Sequence, residues 1–182
     1  TMKNLLLIVL MVAGALTGRL LAQGQETVNR EKMRVFTDWG GRWKGEGSIQ
    51  RGPGEPRKST VDEVIEFKLD STVLVVEGIG KRTDPSTRKE VVVHHAFAVL
   101  SYDQPSDEYK FRTYLIDGRS TDAWLKVVEE NKYHWGFDSP RGKIRYNILI
   151  DPEKKTWNET GEYSQDGEKW MKFFEMNLIR VE

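Results

Sequence analysis

The sequence predicts an all-β protein, an antiparallel up-and-down barrel of about ten strands preceded by a short helix, on three observations. Turn residues recur roughly every ten residues between segments that alternate apolar and polar side chains. The connections are short throughout, so each strand pairs with its neighbour in the chain, and closure of the sheet removes its edges. The run Trp39-Gly40-Gly41-Arg42-Trp43-Lys44-Gly45-Glu46-Gly47 sets an indole on the first strand with glycines after it on the same face. Glycine on a strand face marks a bend or a close backbone approach. A small barrel needs such a bend for its first strand to close against its last.

Ahead of the barrel, Met2-Lys3 precedes an apolar stretch from Leu5 to Leu16, followed by Leu20-Leu21-Ala22. That is the order of a secretory signal peptide, read as residues 1–22. Arg19 interrupts the segment and Leu20 is large for its place, which leaves the cleavage point open by several residues. A membrane span needs about 18 unbroken apolar residues, and Gly18-Arg19 ends the run earlier. The expectation is an exported protein, periplasmic or secreted, with no integral membrane span after processing. Residues 23–38 read as an N-terminal segment or short helix with Val28, Met33, Val35 and Phe36 as its apolar residues, and 39–182 as the barrel domain.

The strands are read as 43–50, 60–69, 73–81, 90–102, 109–117, 121–129, 132–138, 143–150, 156–163 and 170–181. Between them stand Gly52-Pro53-Gly54, Asp84-Pro85, Gln104-Pro105-Ser106-Asp107, Asp117-Gly118, Ser139-Pro140-Arg141-Gly142, Asp151-Pro152 and Asp166-Gly167. Proline fixes φ, while glycine and aspartate tolerate turn angles closed to other residues. Alternation points Val61, Ile65, Phe67 and Leu69 inward, with Tyr133, Trp135 and Phe137, and with Ile144, Tyr146, Ile148 and Ile150. The last strand is apolar on both sides: Phe174, Met176, Leu178 and Arg180 share one face, and Met171, Phe173 and Ile179 the other.

Lysine plus arginine and aspartate plus glutamate both number 28, so the net charge is zero, and nothing marks a nucleic-acid partner. Cysteine is absent, which excludes disulfides, thiolate metal sites and a cysteine nucleophile. Stability must come from packing, and six Trp, six Tyr and seven Phe supply the volume.

Gly41-Arg42-Trp43-Lys44-Gly45-Glu46-Gly47, the Ser164-x-Asp166-Gly167-x-x-Trp170 hairpin and an arginine near the C-terminus together resemble the calycin superfamily. Within it, the chain is similar to nitrobindin-like barrels and to a family of exported lipocalin-like proteins, over about Phe36 to Val181. The resemblance implies a structural barrel closure in which Arg180 packs on Trp43. It also implies a small hydrophobic or amphipathic ligand. Nitrobindins hold haem through a histidine on a late strand, but 172–180 reads Lys-Phe-Phe-Glu-Met-Asn-Leu-Ile-Arg and has no histidine. Met176 or Tyr163 could replace it in principle, since iron takes a thioether or a phenolate. The reading carries no cofactor and no metal.

Among candidate groups, His94 and His95 are sequence neighbours on one strand and face opposite ways, so they cannot share a metal from a regular strand. His134 reads as outward. Inward parity collects Glu63, Thr113, Tyr146, Glu159 and Lys172, with His95 as a further option, and Trp135 and Met176 complete the set of pocket candidates. Buried charges need partners, water or a ligand. Three functions follow: a barrel that binds a small molecule, a barrel enzyme such as an isomerase or hydrolase using the interior carboxylates, or a filled barrel acting through its surface. No residue is assigned as catalytic, and the phosphate-loop, Gly-x-Ser-x-Gly and His-Glu-x-x-His motifs are absent. Ligand identity and oligomeric state stay open. One candidate mouth is the rim near the loops before Val91 and after Tyr102.

Overall fold

The computed structural model describes residues 24, 27–50 and 52–182; the segment read as a signal peptide lies outside the described residues. Ten strands run β1 (Gly41–Ile49), β2 (Arg57–Lys68), β3 (Val73–Thr83), β4 (Glu90–Asp103), β5 (Glu108–Leu115), β6 (Ser120–Glu129), β7 (Lys132–Ser139), β8 (Gly142–Asp151), β9 (Thr156–Ser164) and β10 (Met171–Arg180). Each pairs antiparallel with its successor, and β1 pairs with β10, so the sheet closes into an up-and-down barrel. Every strand thereby loses its free edge.

The chain seals one end of this barrel before β1 begins. Residues 27–33 are helical and lead into a 3-10 turn, Arg34–Trp39, whose Phe36 and Trp39 are buried. The Phe36 ring stacks on Tyr133 at 5.3 Å and meets Tyr109 edge-on at 5.0 Å, while Trp39 packs against Trp157 at 4.8 Å. Polar tips fasten the same surfaces. The Tyr109 hydroxyl donates to Lys32 O (2.9 Å) and the Tyr133 hydroxyl to Val35 O (2.6 Å). Buried tyrosines find such partners because an unpaired hydroxyl in an apolar setting is costly.

Trp43 and Arg180 are partners across the closing β1–β10 pair. The Arg180 guanidinium lies 4.6 Å over the Trp43 ring and also donates to Asp38 O, and the Trp43 indole donates to Trp39 O at 2.7 Å. Helix, first strand and last strand thus meet in one cluster. At Gly45 the closing strand comes so near that an added Cβ would lie 2.0 Å from Asn177 O. At Gly47 the nearest atom would be a Val61 methyl at 3.2 Å.

Two register shifts interrupt the ladder where it matters for the interior. One falls between Gly80 and Lys81, opposite Val93. The other falls between Lys172 and Phe174 on β10, where Phe173 is the extra residue. A bulge inserts one residue and so reverses the side-chain parity beyond it. Beyond Phe173, Lys172 pairs with Glu162 while Phe174 pairs with Gly161, which places the lysine outside the barrel and the phenylalanine inside. The shift also resolves the strand that read apolar on both sides. Ile179 is exposed on the outer surface, Met171 takes the inward parity beyond the bulge and is exposed at the mouth end, and Met176 and Leu178 are buried.

Gly45→Ala is expected to destabilise the protein by roughly 2–3 kcal/mol, because backbone cannot yield to the new methyl. Gly47→Ala, which meets only a side chain, should cost well under half of that. Urea unfolding of the two variants side by side measures the difference.

Candidate functional site

The barrel interior is lined differently at its two ends. Below, Ile65, Leu74, Leu100, Tyr133, Ile150 and Trp157 are fully buried against the N-terminal turn. Above, Val61, Glu63, Thr113, Trp135, Tyr146 and Phe174 also point toward the barrel axis, yet each keeps part of its surface accessible. The lumen is closed at its floor by the N-terminal turn and is bounded at the other end by loops alone.

Residue size explains where the space is. The inner face of β1–β4 includes Gly45, Gly47, Gly78, Gly80, Ala96 and Ala98, interleaved with Val61, Glu63 and His94. The inner face of β7–β10 carries Trp135, Phe137, Ile144, Tyr146 and Phe174. A wall rich in small residues thus faces a wall of large ones. On the aromatic side Trp135 and Tyr146 are stacked at 4.1 Å with their planes 8° apart. Gly161 leaves room for Tyr146, since a Cβ there would come within 2.8 Å of its ring.

One carboxyl projects from each wall. Glu159 on β9 is buried and accepts from the Trp135 indole at 3.0 Å through Oε1 and from the Trp157 indole at 3.2 Å through Oε2. Burial pushes its pKa up to about 7, with the two indole N–H groups opposing the shift because they favour the charged form. Glu63 on β2 pairs in register with Gly78, and its carboxyl lies over that glycine, 3.1 Å from where a Cβ would be. It is enclosed by the protein and makes no hydrogen bond among the described residues. Burial first, and the Glu159 charge second, push it up to about 8. Glu63 exerts no matching push on Glu159, as follows if Glu159 ionises first while Glu63 is still neutral.

The other candidates divide between the two sides of the wall. Thr113 faces the lumen opposite Ala98, and Met176 is buried beside Glu159. His95 does not face the lumen: it is on the outer surface, its Nε2 2.8 Å from Glu77 Oε1. His94 takes the inward parity instead, opposite Gly80 near the rim. Lys172 is likewise outside, paired with Glu175 at 2.5 Å, because the Phe173 bulge reverses its side. His134 stands on the outer surface near Arg145 and Glu162, and burial lowers its pKa. Of the tryptophans, Trp43 and Trp157 belong to the floor, while Trp124 lies outside over Gly136. Among the described residues no group of three metal-ligating side chains comes together.

The mouth is bounded by the loops after β1, β3, β5, β7 and β9. The loop before Val91 lies at this end. The loop after Tyr102 lies at the opposite, sealed end, where Asp107 accepts from Tyr102 and Lys32. An up-and-down topology alternates its loops between the two ends, so these two loops cannot share a rim. At the mouth, an open polar depression of about 660 Å³ lies on the rim by Ser139, Arg141, Lys143 and Tyr163. None of the buried carboxyls borders it.

Sequence reasoning found both carboxylates by parity but missed their coupling. The signal was an acid of inward parity on each side of the barrel. It also missed that Trp157-x-Glu159, two residues apart on one face, lets the indole reach its own neighbour's carboxylate.

No protein-family model and no curated protein matches the sequence. Solved structures do match. An S-type phycobiliprotein lyase, CPES from Guillardia theta, is 12% identical over 86% of this chain and 97% of its own, with a TM-score of 0.58. The protein Rv2717c from M. tuberculosis is 10% identical over 82% of this chain and 98% of its own, with a TM-score of 0.56. The fold is calycin-like. No helix among the described residues is long and apolar enough to cross a membrane.

Both carboxyls hold their protons more tightly folded than unfolded. The stability they lend is present below the unfolded glutamate range, about pH 4.3, and is lost as pH rises through about 7 for Glu159 and about 8 for Glu63. Glu63→Gln mimics the protonated acid. It is expected to raise Tm near pH 9 by roughly 3 °C or more relative to the parent, and to change it little near pH 5. Thermal unfolding across that pH range reads the difference.

Proposed function

We propose that this chain is an exported barrel that binds one small hydrophobic or amphipathic molecule in its lumen. The observation that carries the reading is the uneven lining of the barrel: a sealed aromatic floor, and glycines and alanines on β1–β4 facing aromatic rings on β7–β10. Interiors are normally filled to crystal-like density. A lumen lined by small residues along one side is a place for a guest. Apolar walls with a few convergent polar groups are the usual composition of a ligand pocket. The fold likeness to a phycobiliprotein lyase is compatible with this use of a calycin-like barrel. Export rests on the Met2-Lys3 and Leu5–Leu16 segment of the sequence.

A second reading is favoured by the same carboxyl pair. One acid that keeps its proton at neutral pH beside another that ionises near 7 is suited to acid–base chemistry on a bound molecule. In that case Glu63→Gln would abolish turnover of a candidate substrate while leaving its binding intact. A container would show no turnover to lose.

N-phenyl-1-naphthylamine, whose fluorescence rises in apolar surroundings, tests the container directly. The parent protein is expected to bind it, and Thr113→Trp, which fills the lumen from a partly accessible position, should weaken binding by about tenfold or more. Phe97→Ala, which removes an exposed ring from the outer wall, should leave binding unchanged. Loss of binding in Phe97→Ala but not in Thr113→Trp would place the probe on the outer surface and end the proposal.

A further inference from the structure

The lumen contains two acids, and neither forms an ion pair among the described residues; the histidine of inward parity, His94, stands nearer the rim, opposite Gly80. Glu159 has its two indole donors, both neutral, and Glu63 has no hydrogen-bond partner among the described residues. Three cations of the neighbouring strands are engaged elsewhere. Arg180 is at the floor, stacked on Trp43 and donating to Asp38 O. Lys172 is outside with Glu175, and Lys81 stands beyond the bulge, paired with Glu90 at 3.1 Å. Gly78 makes room for the Glu63 side chain, whose carboxyl lies over it, and Gly80 makes room for His94 and Ser59. Opposite lies the flat face of the stacked Trp135–Tyr146 pair, and aromatic faces attract cations and other rings.

We infer that the molecule this cup accepts carries one positive charge, a protonated amine or amidinium, on an apolar or aromatic body. The cation sits between the Glu63 carboxyl on the small wall and the Glu159 carboxyl on the aromatic wall. Its body rests against Trp135 and Tyr146. A buried carboxylate is costly until it is paired, so a cation receives from these two groups an interaction that a neutral molecule of the same shape cannot. An anion of that shape meets two acids of its own sign. This inference rests on the container reading and names the chemical class of its contents.

The test uses three molecules of one shape: 2-(1-naphthyl)ethylamine, 2-(1-naphthyl)ethanol and 1-naphthylacetate, titrated calorimetrically into the full chain near pH 8. The amine is expected to bind about tenfold or more tightly than the alcohol, with the carboxylate weakest. Glu63→Gln and Glu159→Gln, made separately and checked for the parent's circular dichroism, should each bring the amine-to-alcohol ratio down to about threefold or less while the alcohol's own affinity holds. Equal binding of amine and alcohol by the parent, or a ratio untouched by both variants, would overturn the charge requirement and leave the container standing. Failure of all three molecules to bind would overturn the container as well.

Discussion

The meeting of Trp43, Arg180 and the Arg34–Trp39 turn is the contact on which the rest of the molecule depends. A ten-stranded sheet closes only if its first and last strands find each other across the whole chain. Here the closing pair is marked by an indole on one strand and a guanidinium on the other, held face to face. An arginine–indole contact contributes about 1 kcal/mol, and more when water is excluded. Arg180 also takes the carbonyl of Asp38, so the same residue that joins the strands fastens the turn beneath them. Closure and sealing of the base are one event. A barrel sealed at one end has a single entrance, and everything said of the lumen follows from that asymmetry.

The two interior acids gain their character from the walls that carry them. Glu159 is set among large rings, which bury it and supply indole donors. Glu63 is set among glycines, which give it room but no partner. The first environment is dry and partly satisfied, the second enclosed and unsatisfied, and Glu63 accordingly holds its proton longer. The difference arises from side-chain volume on facing strands, not from any charged neighbour other than the acids themselves.

Most of the architecture was legible because it depends on local signals. Turn residues and alternation locate the strands to within a few residues, and the glycines after Trp43 announce the tight approach of β10. Inward parity likewise identified Glu63 and Glu159. Parity fails where the ladder slips. Lys172 lies on the wrong side of the Phe173 bulge, and His95 faces outward because it pairs with Ile79 and meets Glu77. A bulge has no composition of its own; it is set by how two distant strands come into register. The position of the mouth depends on counting loops between alternate ends, which an assignment from loop composition alone passes over.

The bulge at Phe173 has an effect larger than its length. Were β10 regular through this point, Lys172 would pair with Tyr163 and point inward near the mouth. With one residue more, the lysine joins Glu175 outside. A single inserted residue therefore determines whether an ammonium stands on the inner or the outer face of the barrel wall.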